Sequence, residues 1–266
     1  MTLSFYKYVA TGNDFILIEN LDNLAPKTSE FVKRICNRNF GIGADGVLYL
    51  EKKDDLFFMN LINSDGSSAK MCGNGIRCIA KHLFDKKLVS QKEFNVSTPS
   101  GVKQISLSFK KGEVVGAKVH MGSPAFLGSN DFFDQKFSII SMGNPHAVTF
   151  LTEFDKSWIS KVAPKIESHP FFTDRTNVEF VQILNESAIR VVVFERGSGF
   201  TLACGTGACA SVACAVKSGF VKSDSDVKVN LPGGKLSILV KSDFSDVIME
   251  GDSSLVFSGV YNDSIA

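Results

Sequence analysis

The chain has 266 residues, 44% of them hydrophobic, and nearly balanced charge, with 29 basic against 28 acidic side chains. That apolar content suffices for a sizeable core, and the length fits one large or two modest domains. No basic block longer than a few residues occurs, which argues against nucleic acid or a membrane surface as partner.

The first residues, MTLSFYKYVATGNDF, lack a charged-then-apolar leader. The first strand signal is FILIEN, followed by the helical pattern TSEFVKRICNR, which Thr28 or Ser29 would cap and whose Phe31, Val32 and Ile35 share a side. The strands GVLYLE and LFFMNLI come next, short, β-branched or aromatic, and bounded by Gly, Asn, Asp or Ser. After Cys72, the residues Ile76, Ile79, Ala80, Leu83 and Phe84 fall at helical spacing. KQISLSF, VVGAKVHM, HAVTFL, VEFVQIL and AIRVVVFE then read as strands. After Cys204, GTGACASVACAVKSG is small and apolar all round and closes on Gly219, the mark of a buried helix; KLSILV is the last strand. The longest apolar run, around GACASVACAV, is far too short to span a bilayer. A cytoplasmic globular protein with six reduced cysteines is expected.

Features recur about half a chain apart. KMCGNGIRC around Cys72 is matched by ACGTGACA around Cys204, Gly12-Asn13 by Gly143-Asn144, Pro99 by Pro232, and Asn63 by Glu195. Convergent turn chemistry would explain one such match, because Gly, Asn and Pro collect in loops. Four in register predict two similar α+β lobes, each a mostly antiparallel sheet around a central helix. The lobe boundary is expected near Gly116, giving residues 1–116 with 252–266 returning to them, and 117–251 as the second lobe.

GIGADG at residues 41–46 fits a dinucleotide-binding glycine pattern, but a helix precedes it and a strand follows, the reverse of what that site needs. It reads as a helix-to-strand turn. No C-x-x-C pair and no H-E-x-x-H occurs, so no metal is expected. A cysteine at a helix start has a lowered thiol pKa, because exposed N–H groups favour the thiolate. His146 could serve it as base in a cysteine hydrolase, but that leaves the second cysteine idle. Two thiols aimed from two helix starts into one cleft would instead supply a base and an acid on opposite faces of one carbon, as stereoinversion requires. Backbone N–H groups of Gly73, Asn74, Gly205 and Thr206 would then hold a substrate carboxylate and stabilise the charge that develops on it. Cys36, Cys78, Cys209 and Cys214 lie on apolar helical faces and read as inert core thiols.

These motifs resemble the diaminopimelate epimerase family. The likeness runs through ATGNDFILIEN, NFGIGADGVLYLE, NSDGSSAKMCGNGIRC, MGNPHAV, RTNVEFVQI, FERGSGFTLACGTGACA and LPGGKLSI, in family order along almost the whole chain. MCGNG separates it from the proline racemases, which share the fold with MCGHG, and the phenazine-pathway isomerases lack the cysteine pair. The resemblance implies a cofactor-independent epimerase that interconverts LL- and meso-2,6-diaminopimelate for lysine and peptidoglycan synthesis. It implies Cys72 and Cys204 as the acid and base, with Gly73, Asn74, Gly205 and Thr206 at the carboxylate. Asn13, Asn63, Asn144, Asn177, Glu195 and Arg196 would line the rest of the site, and His146 with Glu195 would tune the thiols.

Chemistry agrees with these roles. The unreacting end of the substrate needs its own partners: Arg196 suits a carboxylate, Glu195 an ammonium, and the asparagines donate and accept. Plainer readings stand beside them. The asparagines and His146 fit turns, and Glu195 with Arg196 fits a solvated strand end. Gly46 departs from family members that carry glutamine there, so a substrate contact from that position is not carried over. The resemblance also leans towards a homodimer. Rival functions are a racemase of this fold with another substrate, a cysteine hydrolase, and a binding protein that kept the fold.

Overall fold

A computed structural model describes residues 2–263, arranged as two compact units. One runs up to Val119 and takes the chain back from Gly251; the other is His120–Glu250.

The first unit opens on a hairpin of β1 (Thr2–Ala10) and β2 (Asn13–Glu19). Its two-residue turn, Thr11-Gly12, has φ of 52° and 77°, the left-handed pair that matches the twist of a tight hairpin. Helix α1 (Ser29–Cys36) carries the chain across so that β3 (Gly46–Lys53) runs parallel to β2. Thr28 caps α1, accepting the N–H of Phe31 at 3.3 Å. β4 (Leu56–Asn63) returns antiparallel to β3 and leads into the short β5 (Ser68–Ala69). A second crossover, α2 (Gly73–Asp85), places β6 (Glu93–Thr98) parallel to β4. β7 (Gly101–Lys110) and β8 (Glu113–Gly122) continue the sheet antiparallel.

The second unit repeats this plan. β9 (Ala125–Phe132), β10 (Gln135–Ser141) and β11 (Pro145–Phe150) are antiparallel neighbours. Helix α3 (Lys156–Glu167) leads to β12 (Asn177–Asn185), parallel to β11. β13 (Ala188–Glu195) and β14 (Gly199–Thr201) precede α4 (Gly205–Lys217). Then come β15 (Val227–Leu231), parallel to β13, and the antiparallel β16 (Gly234–Val240) and β17 (Val247–Asp252). The chain ends its described course in the first unit with β18 (Ser254–Asn262), which lies along β1 as β9 lies along β10. The duplicated pairing makes the fold the two-lobed α+β class expected from the repeat. The prolines of that repeat stand at matching hairpins: Pro99 between β6 and β7, Pro232 between β15 and β16.

Helices cover both faces of the parallel strands, which explains their unbroken apolar runs. Val47, Leu48, Tyr49 and Leu50 of β3 are all buried. Phe31, Val32 and Ile35 of α1 pack on Ile16, Ile18, Val47 and Tyr49. Alternation turns Leu48 to the other face, where its side chain meets Gly75 of α2. In the second unit α3 packs Ile159, Val162, Ala163 and Ile166 against Phe137, Val178 and Phe180. Helix α4 is buried from Gly205 through Ala215, as its all-round small apolar sequence predicts.

Helix α3 was not among the predicted helices. Asp155 caps it, accepting from the N–H groups of Ser157 and Trp158, and its buried residues keep helical spacing. Pro164 near its end hides the pattern, but the helix tolerates it there because little helix remains to be broken.

Candidate active site

Cys72 and Cys204 occupy the same structural position in the two units. Each is the N-cap of a crossover helix, with extended backbone (φ −145° and −118°). Each sulfur accepts the N–H of the residue three on, Gly75 and Gly207, at 3.4 Å. Ser, Thr, Asp and Asn are the usual caps; a thiol there places sulfur against the positive end of the helix.

Around Cys72, the Asn13 carboxamide oxygen lies 3.9 Å from Sγ and accepts from Asn74 Nδ2 at 3.3 Å. Asn13 in turn donates to Asp45 Oδ2 at 2.5 Å. Asp45 is held by the Asp14 N–H at 3.1 Å and by Arg38 Nη2 at 2.8 Å. Behind the helix start sits Arg77, fully buried. It donates to Gly73 O at 2.9 Å, Asn74 Oδ1 at 3.0 Å and Thr11 Oγ1 at 2.7 Å. The guanidinium thus ties the first turn of α2 to the β1–β2 turn that carries Asn13.

Around Cys204, the Thr206 hydroxyl lies 3.5 Å from Sγ and accepts from Asn144 Nδ2 at 3.2 Å. Asn144 Oδ1 is 3.1 Å from His146 Nε2, and His146 Nδ1 is 2.7 Å from Glu179 Oε1. His146 and Glu179 are both fully buried. His146 spends both ring nitrogens on Glu179 and Asn144, so it is not hydrogen-bonded to Cys204 as a hydrolase base would be. Burial above all, then the charges of Glu195 and Glu179, push the Cys204 thiol well above its ordinary value; bonds from Thr206 and the Gly207 N–H only partly offset this.

The other predicted residues sit as follows. Gly73, Asn74, Gly205 and Thr206 form the first turns of α2 and α4 and are buried. Glu195 ends β13 and accepts from the Thr201 hydroxyl at 2.5 Å. Asn177 donates to Pro145 O at 2.9 Å and accepts from the Arg196 N–H at 3.0 Å, bracing two loops, while Arg196 Nη1 donates to Asp174 O at 3.0 Å. Asn63, opposite Gly46 in the β3–β4 ladder, turns its amide to Ser67 Oγ at 3.0 Å within its own loop rather than to the Cys72 group. Gly46 itself has a packing reason: a Cβ there would lie 2.9 Å from Ile62 O and 3.0 Å from a Leu61 methyl. GIGADG is indeed the turn from α1 into β3. Cys36, Cys78, Cys209 and Cys214 are buried core thiols, and burial raises the first two and Cys214 to about 12.

Sequence reading missed Asp45, Arg77 and Glu179. Arg77 and Glu179 interrupt apolar runs, at the fifth residue of α2 and within NVEFVQIL, and a charge inside a buried pattern was the available signal. Among the described residues no three or more His, Cys, Asp or Glu side chains gather as a metal site. Among the described residues no helix is long and apolar enough to cross a membrane.

A sequence profile described as diaminopimelate epimerase matches residues 5–127 and 138–256. The chain is 39% identical to the diaminopimelate epimerase of Methanothermobacter thermautotrophicus over 96% of its own length and 97% of the relative's. It is 40% identical to that of Synechocystis sp., covering 97% and 99%. Among solved structures it is similar to a hydroxyproline epimerase from Agrobacterium vitis, with a TM-score of 0.74 at 13% identity, covering 98% of this chain and 91% of the other. A PhzF-family phenazine biosynthesis protein from Bacillus anthracis gives 0.72 at 15% identity, covering 98% and 99%. At that identity the two structures show the shared fold alone.

Proposed function

The chain belongs to the diaminopimelate epimerase family, and on that premise we propose how its own residues carry out the inversion. The reaction interconverts LL-2,6-diaminopimelate and meso-diaminopimelate, an isomerisation in lysine biosynthesis. Inversion needs a base on one face of the α-carbon and an acid on the other. We assign these roles to Cys72 and Cys204, which suffice for the proton transfers without pyridoxal phosphate. The observation that carries the assignment is the repeated cap: each thiol heads a crossover helix and receives the N–H of the third residue beyond it. Such donors lower the cost of a thiolate.

Cys204, with its thiol pushed up by burial and two carboxylates, carries the proton in the resting enzyme. In the turnover that starts there, Cys72 takes the α-proton and Cys204 delivers one to the opposite face; the reverse direction exchanges the roles. N–H groups of Gly73, Asn74, Gly205 and Thr206 receive the α-carboxylate, and their fixed dipoles bind it more strongly as charge moves onto it. Arg196 and Glu195 take the carboxylate and ammonium of the distal end, with Asn13, Asn63, Asn144 and Asn177 completing the polar lining. The product also serves peptidoglycan synthesis, which places the enzyme in the cytoplasm. A homodimer is part of the proposal: β18 exposes Leu255, Val256, Phe257 and Val260, apolar surface that a second copy would cover.

Turnover of LL-diaminopimelate in D₂O tests the mechanism. The product should carry deuterium at the inverted α-carbon, and Cys72→Ala and Cys204→Ala should each abolish inversion. Unlabelled product, or full activity in either variant, would sink the two-thiol assignment. Parallel assays with proline and glutamate separate diaminopimelate from other amino acids.

A further inference from the structure

The two units share a skeleton but not its contents. In the β2–β3 ladder Phe15 faces Gly46, and in the matching β11–β12 ladder His146 faces Asn177. Two residues after Gly46 and Asn177 come Leu48 and Glu179. Both reach the same spot under a helix start. A Cβ on Gly75 would lie 2.9 Å from a Leu48 methyl, and one on Gly207 would lie 2.6 Å from Glu179 Oε1. Where the Cys72 side has Phe15 and Leu48, the Cys204 side therefore has His146 and Glu179. All four side chains are buried.

Burying a carboxylate in place of leucine is costly, and Glu179 Oε2 has no hydrogen-bond partner. Its other oxygen bonds one group, His146 Nδ1, at 2.7 Å. From there a continuous chain runs through Asn144 and Thr206 to the Cys204 sulfur. Resting on the two-thiol reading above, we propose that Glu179 is a positioning residue that sets the sense of this hydrogen-bond chain.

A carboxylate at Nδ1 keeps the ring proton there. A neutral imidazole then offers Nε2 as an acceptor, and the Asn144 amide, whose O and N ends have nearly the same shape, turns over from the placement described above to put its nitrogen there. Asn144 Oδ1 then accepts from the Thr206 hydroxyl, and Thr206 oxygen accepts from the Cys204 S–H. In this sense the chain holds a thiol. The opposite sense, with Thr206 donating to a thiolate, requires a second proton on His146, because both ring nitrogens then donate. Glu179 thus links loss of the Cys204 proton to gain of one at His146, and the proton count of the chain is conserved. In the first unit phenylalanine and leucine fill the places of that histidine and glutamate. The charged or titratable groups facing Cys204 are Glu195 from β13, Glu179 from β12 and, through Asn144, His146 from β11.

The test is the pH dependence of Cys204 alkylation by iodoacetamide, read by peptide mass spectrometry in a Cys72→Ala background. Glu179→Gln should lower the midpoint by about one pH unit, a roughly tenfold faster reaction at fixed pH below it. The shift should shrink when the chain is cut by Thr206→Val, leaving only the through-space effect of the Glu179 charge, which persists in that variant. An unchanged or raised midpoint, or an undiminished shift in the Thr206→Val background, overturns the proposal. Should Glu179→Gln fail to fold by circular dichroism, His146→Gln must give the same downward shift and the same reduction of it with Thr206→Val. Alkylation needs no substrate, so failure of this idea is distinguishable from failure of the epimerase mechanism, which the deuterium assay reads.

Discussion

Gly207→Ala is the most informative single change at the Cys204 half-site. The new methyl would sit 2.6 Å from Glu179 Oε1, closer than packed atoms allow, and 3.3 Å from Cys204 Cβ, tighter than most packed contacts. Alanine keeps the backbone N–H that points at the Cys204 sulfur, so only the space is altered. Overpacking a rigid core costs about 1–3 kcal/mol, and alanine in a helix returns about 0.5–1 kcal/mol over glycine. The net loss should be about 1–2 kcal/mol, which lowers Tm by a few degrees, at about 2–4 °C per kcal/mol for a chain near this size. The larger effect is on function. To admit the methyl, the carboxylate must move by about an ångström, and His146, bonded to it at 2.7 Å, must follow. Shifts of that size in a positioned site cost on the order of 100-fold in rate. Gly75→Ala is the control: its methyl would meet a terminal methyl of Leu48 at 2.9 Å, an apolar contact with no polar chain behind it. Thermal melts and kcat/KM with LL-diaminopimelate should show similar stability losses in the two variants but a much deeper loss of activity in Gly207→Ala. Wild-type rates in Gly207→Ala, or equal activity losses in both, would refute the reasoning.

Arg77→Met should cost about 3 kcal/mol in denaturant unfolding, because Gly73 O, Asn74 Oδ1 and Thr11 Oγ1 each lose a buried charged donor; a stability within 1 kcal/mol of wild type (about the size of one ordinary hydrogen bond) contradicts it. Asp14 is held at about 2 by bonds from Arg38 and Lys7, which override the opposing effect of burial. A folded value depressed in this way contributes stability above the unfolded value, which is lost as pH falls from about 4 to about 2. Asp14→Asn should accordingly flatten acid unfolding in that window, and an unchanged acid limb counts against the assignment. Val256→Asp with Val260→Asp should convert a dimer to monomer in sedimentation experiments if β18 forms the interface; a dimer that survives both changes places the contact elsewhere.

Much of the fold was legible because it rests on local pattern. The all-apolar helix after Cys204, the capped α1 and the strands around the crossovers carry their periodicity in the sequence. The paired thiols were legible for another reason: glycines at matching offsets have a mechanical use, here as the close approaches at Gly75 and Gly207. The roles of Asp45, Arg77 and Glu179 were not legible, because each has a partner remote in sequence: Asn13, Thr11 and His146. Glu179 meets His146 only because β12 lies parallel to β11 with Asn177 beside His146. The one signal in NVEFVQIL is a charge inside an apolar run, and it does not name the partner. Asn63 shows the opposite case: it matches Glu195 in repeat register, yet its amide closes a local turn.

The repeat makes the two thiols equivalent in backbone, and the proposed inversion at one carbon needs them unequal in proton occupancy. With identical surroundings the two would compete for one proton without preference, and the enzyme would rest as a mixture of states. The substitution of His146 and Glu179 for Phe15 and Leu48 supplies the difference at two positions while leaving the strands and helix caps intact. It also accounts for where the cost is taken. An unpartnered oxygen in the core, Glu179 Oε2, is a defect by packing standards. Its neighbour Oε1 fixes a histidine that reaches the sulfur in three further hydrogen-bonded steps. Leucine at that position, with phenylalanine in place of His146, would relieve the buried charge and remove the chain that reaches Cys204. Glu179→Leu combined with His146→Phe, which replaces the whole buried pair, should therefore raise Tm by about 2–4 °C, from about 1 kcal/mol gained by relieving the buried charge. The same change should depress kcat/KM, measured alongside the melt. A less stable, fully active double variant would show instead that the buried pair serves the fold and not the thiol.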